Sequence, residues 1–217
     1  MQPIDFKKTV SVVIMIFSFA ILSSANNAAL LQKLDSMIEA SETIVAEKNK
    51  KIATLKQMAA KENNTALLLE RYRELSEEYY VFKFDSAKVY VEKGLALAKK
   101  VQNSRYIVTN TIMKAKLLSI GGLYSEAINT LNTIEQDSLG EQNMTFDYNI
   151  AYSTIYSYWA DYCNDDTYSP IYRERSNAYL KTAIVNIDKN NAAYDYYMGE
   201  YHVYIDKDDD KALKHYF

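Results

Sequence analysis

The sequence predicts an all-α fold in which antiparallel helical hairpins stack as an α-solenoid behind a long N-terminal helix. Three observations carry this expectation. Only 5 Gly and 2 Pro occur in 217 residues, too few for the turns that a β architecture demands. Apolar residues recur at helical spacing through most of the chain. The stretch Gly121–Leu131, GGLYSEAINTL, then reads as the reversal of one hairpin. Gly121 or Gly122 can take the left-handed conformation that ends a helix, Ser125 is placed to cap the next one, and Ala127 sits where two helices approach closely.

The elements follow in order. Residues 1–25 read as a signal peptide: Lys7 and Lys8 precede an uncharged apolar run, Val10–Leu22, and Ser23, Ser24 and Ala25 offer small side chains for cleavage. The run is short for a membrane span, and no cysteine follows it for lipid attachment. Losing these residues removes Asp5, Lys7 and Lys8, so the net charge of −3 becomes −4. Residues 26–62 read as one amphipathic helix. Leu31, Ile38, Val45, Ile52 and Ala59 recur every seven residues, Leu34 and Leu55 occupy the complementary row, and Ser41 and Lys48 interrupt it. That partial heptad seam has two readings, an N-terminal cap lying along the repeats, which is favoured, or a parallel dimerisation helix joining two copies through residues 30–61.

Residues 63–217 are expected to hold about four hairpins, the last one truncated. Asn63-Asn64-Thr65 ends the long helix and caps the next. Leu68, Leu69, Tyr72, Leu75 and Tyr79 line one face; Asp85 is a natural cap, and Ala87, Val91 and Leu95 continue the stripe in the partner helix. Hairpin two spans about Arg105 to Glu135 around the Gly121–Leu131 turn, with Ala115 and Ala127 as facing small residues and Leu118 and Leu131 filling the flanking layers. Hairpin three begins near Met144 and carries Tyr148, Tyr152, Tyr156 and Trp159; Ser169-Pro170 is expected to start its second helix. Hairpin four places Ala193, Tyr197, Tyr201 and Tyr204 on its first helix, an acidic loop Asp206–Asp210 next, and Ala212 with Tyr216 on its second. The chain stops without a polar cap of the kind repeat arrays carry, so a continuation beyond Phe217 is expected.

The Gly121–Leu131 turn, with Ala115, Leu118, Ala127 and Leu131, resembles the tetratricopeptide (TPR) repeat, which places a small residue on helix A, a Gly-x-Tyr turn, an Ala on helix B and a large apolar residue four later. It departs from that pattern in lacking the Trp of helix A and the terminal Pro. The segments LDSMIEASETIVAEKNKKIATLKQM, FKFDSAKVYVEKGLALAKK and YWADYCNDDTYSPIYRERSNAYLKTAI, behind a signal peptide, resemble the N-terminal half of a family of Bacteroidetes TPR proteins, putative transcriptional regulators by label. The resemblance implies a periplasmic sensing half followed, in the family, by a membrane span and a C-terminal domain. It implies no catalytic residues.

Candidate sites are few. His202 and His215, the chain's 2 histidines, fall on different helices without a cysteine nearby, against a zinc or hydrolytic site. Asp206, Asp208 and Asp210 lack the glycine and the final Glu of a calcium loop and suit a helix start. Cys163 has no partner. No metal and no cofactor is expected, and a negative net charge speaks against nucleic-acid binding. Tyrosine is the informative surplus, at 20 residues. Tyr148, Tyr152, Tyr156, Tyr194, Tyr197 and Tyr201, with Tyr158 and Tyr196 also at A-helix positions, are the candidate lining of a concave groove on the A helices, with core packing an equal alternative. Ala87, Ala115, Gly122, Ala127, Leu131 and Ala212 are the expected repeat-packing residues. The resulting expectation is a non-catalytic scaffold that binds a protein or peptide, with the membrane reached only through a span beyond this segment. The competing reading is a periplasmic glycan-binding or hydrolytic accessory protein.

Overall fold

The computed structural model describes residues 6–141, 144–185 and 187–216, with side chains described over 30–140, 144–185 and 187–216. The signal-peptide reading therefore lies outside the described side chains, and for residues 1–5 outside the described backbone. The chain falls into two units, Met1–Thr54 and Leu55–Phe217. It is 84% helical, and among the described residues there is no strand. Among the described residues ten α-helices succeed one another: α1 (Phe6–Lys61), α2 (Thr65–Tyr80), α3 (Phe84–Lys100), α4 (Ser104–Ile120), α5 (Tyr124–Leu131), α6 (Gln136–Glu141), α7 (Thr145–Cys163), α8 (Tyr168–Val185), α9 (Tyr194–Tyr201) and α10 (Asp209–Tyr216), with a π-helical turn, His202–Asp206, between the last two. Among the described residues, no helix is long and apolar enough to cross a membrane.

The first unit takes in α1 as far as Thr54, and the helix runs from Phe6 without a break and so starts earlier than the 26–62 reading. In the second unit, α2/α3, α4/α5, α7/α8 and α9/α10 pack as antiparallel pairs, and each later A helix rests on the preceding pair. This is an α-solenoid. Asn64 caps α2, its side chain accepting from the N–H groups of Ala66 at 2.9 Å and Leu67 at 3.2 Å. Gly122 takes φ +77° after α4, and the N–H of Leu123 reaches back to the Leu118 carbonyl at 2.9 Å, closing the helix end with a left-handed residue only glycine adopts without strain.

Three local expectations are corrected. Ser125 and Asp85 lie in the first turns of their helices and cap neither; Leu123 and Lys83 hold the N-cap positions without a side-chain bond. Helix α8 begins at Tyr168, two residues before Pro170, because Asp165 accepts from the N–H groups of Thr167 and Tyr168 at 2.7 Å each. Between hairpins two and three stands α6, a short helix the periodicity had not separated from the loop; its Leu139 is 2% exposed.

The main core is made by α4 to α8. Ala115, Ala127 and Leu131 are wholly buried there with Ala151 and Ile155, and Ile112 nearly so. Ala87 in hairpin one is also sealed, and Ala212 in hairpin four nearly so. At Gly94 on α3 an added Cβ would fall 2.6 Å from the Asn110 side chain, so α3 and α4 meet there with only hydrogen between them.

A charged network fastens hairpin one to α4. Arg73 donates to both carboxylate oxygens of Glu70, at 2.6 and 3.1 Å, and the Tyr106 hydroxyl donates to the second at 2.7 Å. The Arg73 guanidinium, helped by that hydroxyl, holds the Glu70 carboxyl down to about 2 from its ordinary 4.5. A carboxylate depressed on folding stabilises the fold at pH above its unfolded pKa and loses that contribution as the pH falls through the folded one. The side chain is one-third exposed, so the solvent-screened contribution is about 1 kcal/mol. Glu70→Gln is expected to be less stable than the natural protein by that amount at pH 6, with the gap closing as thermal melts are taken from pH 4.5 towards 2. A gap independent of pH would refute the assignment.

Candidate binding groove

Helix α7 is aromatic on two faces, and the fold assigns them different tasks. Tyr148, Tyr152 and Tyr156 repeat every four residues on the face turned into the core and are 8%, 2% and 8% exposed. The Tyr152 ring stacks on Tyr179 of α8 at 4.4 Å and meets Tyr148 edge-on at 4.9 Å; the Tyr148 hydroxyl donates to that of Tyr152 at 3.3 Å, and Tyr152 donates to Asn132. Trp159 continues the stack onto Tyr172 at 4.2 Å and Tyr124 at 5.7 Å. These three tyrosines are thus core and do not line a groove. The reason is geometric: an every-fourth-residue stripe keeps one face of a helix, and here that face meets α5 and α8.

The opposite face of α7 carries Ile150, Ser153, Thr154, Ser157 and Tyr158, and it does open onto a groove. A cleft of about 270 Å³ is walled by these residues together with Tyr80 of α2, Lys116 of α4, Arg173 and Asn177 of α8, Tyr196, Tyr197 and Glu200 of α9, and Tyr204. A second cleft of about 180 Å³, lined by Glu77, Thr109, Ile112, Met113, Met144 and Asp147, shares Lys116, Ile150 and Tyr197 with the first. The two meet at those residues, so the groove follows the A helices α2, α4, α7 and α9. Of the tyrosines expected to line it, Tyr158, Tyr196 and Tyr197 do. Tyr194 and Tyr201 instead sit edge-on to His215 and His202. Tyr80 and Tyr204 were missed as lining. The legible signal was the Ile150, Ser153, Thr154, Ser157, Tyr158 stripe, a helical face of small polar residues around one aromatic.

Among the described residues, Lys116 and Asp147 of the groove have no ion pair within 4 Å. Glu77 pairs with Arg73, Arg173 with Asp161, and Glu200 accepts from the Tyr216 hydroxyl at 2.8 Å. Lys116 lies over the Tyr80 ring at 5.4 Å; burial lowers its pKa, against the raising pull of Asp147 and Glu77. Burial raises that of Asp147, against Lys116. Burial likewise pushes the Tyr80 and Tyr197 hydroxyls up to about 12, so both stay protonated donors at neutral pH. The walls thus offer a cation, a carboxylate, phenol donors and the exposed rings of Tyr158 and Tyr196, an arrangement fitted to binding.

The histidines, on different elements, stack on each other with ring centres 5.4 Å apart. Each Nδ1 faces a carboxylate, Asp206 for His202 at 2.8 Å and Asp195 for His215 at 2.9 Å. Asp208 caps α10, accepting from the Lys211 N–H at 3.0 Å, which accounts for an acidic residue in that loop. Cys163 is a half-buried free thiol. Among the described residues, no group of three or more His, Cys, Asp or Glu is placed to hold a metal ion.

Stacked helical pairs with sealed alanines at their contacts and a groove along the A helices define a TPR-type repeat scaffold. The chain belongs to the SusR N-terminal TPR domain family, whose model matches residues 38–217. No curated protein and no solved structure matches it.

Proposed function

We propose that this chain is the non-catalytic sensing part of an exported, membrane-linked regulatory protein, and that it binds a protein or peptide in the groove along α2, α4, α7 and α9. One observation carries the reading: the groove presents Lys116 and Asp147, which among the described residues have no ion pair within 4 Å, along with the exposed rings of Tyr158 and Tyr196. An extended peptide supplies what such walls lack, carbonyl oxygens for Lys116 and N–H groups for Asp147, with side chains to lie on the rings. The family supports an envelope setting, and the apolar run Val10–Leu22 supports export through a cleaved signal peptide to the periplasm. The output then resides in a segment beyond Phe217, across a membrane span.

Selection of a random dodecapeptide phage library on the purified chain tests this. Enriched peptides are expected to bind the natural protein and to lose at least tenfold in affinity to Tyr158→Ala/Tyr196→Ala, whose side chains are exposed and leave the fold intact. A library with no enriched peptide, or affinity untouched by the double variant, would refute the groove as a peptide site. The same rings could stack on sugars, and binding of oligosaccharides with no peptide selected would establish the second reading, a periplasmic glycan-binding protein.

A further inference from the structure

We infer that α1 pairs with α1 of a second copy of this chain as a parallel two-stranded coiled coil over residues 30–45. Leu31, Leu34, Ile38 and Val45 form its seam, and Leu30, Met37 and Ile44 flank it; each is between 43% and 62% exposed. Ile52, the next residue of the same row, is 4% exposed. The uncovered stripe is thus confined to the part of the heptad pattern N-terminal to it. Seven such side chains amount to roughly 700 Å² of apolar surface, beyond the roughly 300–600 Å² of the largest patch on a typical monomer. That is close to the roughly 800 Å² each partner gives a standard interface.

The residues along the seam choose the occupant and its direction. With Leu31 at position a, Ile38, Val45 and Ile52 also fall at a and Leu34 and Leu55 at d, and β-branched residues at a with leucine at d favour two parallel strands. In that arrangement the flanking contacts are Leu30 with the second copy's Asp35 and Met37 with its Glu42, and over residues 30–45 no like charges meet. The antiparallel alternative over the same residues puts Ile38 against Ser41 and Val45 against Leu34 of the other copy. It thereby sets Asp35 beside Glu42 twice, a like-charge contact that disfavours it. A lipid surface would also cover apolar residues, yet Asp35, Glu39 and Glu42 outnumber the one lysine of this stretch, Lys33, the opposite of the lysine-rich face of membrane-bound helices.

Sedimentation equilibrium on the exported chain, residues 26–217, is expected to give twice the mass of that single chain. Ile38→Glu/Val45→Glu is expected to give the single mass with unchanged far-UV circular dichroism, since both side chains point to solvent in the single chain. Single mass for the natural protein overturns the proposal, also where that monomer binds phosphatidylethanolamine/phosphatidylglycerol vesicles, and so does a dimer that survives the double substitution. Direction is read separately with Ser41→Cys in a Cys163→Ser background. Parallel, in-register helices bring the two position-41 thiols together, and most of the protein is expected to cross-link on mild oxidation. A dimer that does not cross-link overturns the parallel arrangement. The groove plays no part in either measurement, so a failure here leaves the peptide reading standing and the converse also holds.

Discussion

Replacing Ala127 with Asp is expected to destabilise the fold by more than about 4 kcal/mol and to lower the melting temperature by at least about 10 °C. Ala127 is wholly buried in the cluster built by α4, α5 and α7, and α5 is only eight residues long. A helix that short has little stability of its own and depends on its packed face. The side chain of Asp needs more room than a methyl group leaves, and its charge would enter an apolar contact with no cation to meet it. Ala127→Gly separates this from helix propensity, since it removes only the methyl group and is expected to cost about 1 kcal/mol. Thermal unfolding followed by circular dichroism measures both. An unchanged melting temperature for Ala127→Asp would mean that α5 does not dock through this residue, and the register of all four hairpins would have to be redrawn.

What could be read in advance divides along a physical line. Gly122, with φ +77°, and Asn64, with its two capping bonds, act on their own neighbours, so a few residues of sequence hold the whole argument. The sealed alanines of α3, α4 and α5 belong to the same class, because a small residue amid large apolar ones marks a close helix contact. The face of α7 was not legible. Between Thr145 and Cys163 it carries aromatic residues on more than one side, so periodicity alone does not say which side meets the core, and the decision rests with the aromatic residues Tyr124, Tyr172 and Tyr179 brought in from α5 and α8. The meeting of His202 and His215 was hidden for a related reason. The π-helical turn His202–Asp206 and the left-handed Lys207, at φ +57°, set where the chain reverses, and composition does not encode that placement.

The consequence for α7 can be measured at Tyr152. Tyr152→Ala is expected to cost about 3–5 kcal/mol, the range for emptying a buried aromatic site. The ring is 2% exposed and touches Tyr148, Tyr156 and Tyr179, and its loss also strands the Asn132 side-chain oxygen that its hydroxyl serves. Tyr152→Phe keeps the ring and removes only the hydroxyl, for a loss of about 1 kcal/mol. Tyr158→Ala, six residues along the same helix but on the groove face and 44% exposed, is expected to change stability by less than about 0.5 kcal/mol. Urea unfolding of the three variants therefore ranks the two faces of one helix. Were Tyr152→Ala as mild as Tyr158→Ala, the stripe through Tyr148, Tyr152 and Tyr156 would not be the packed one. The recognition surface would then have to be sought on that face, and Lys116 and Asp147 would lose their claim to a ligand.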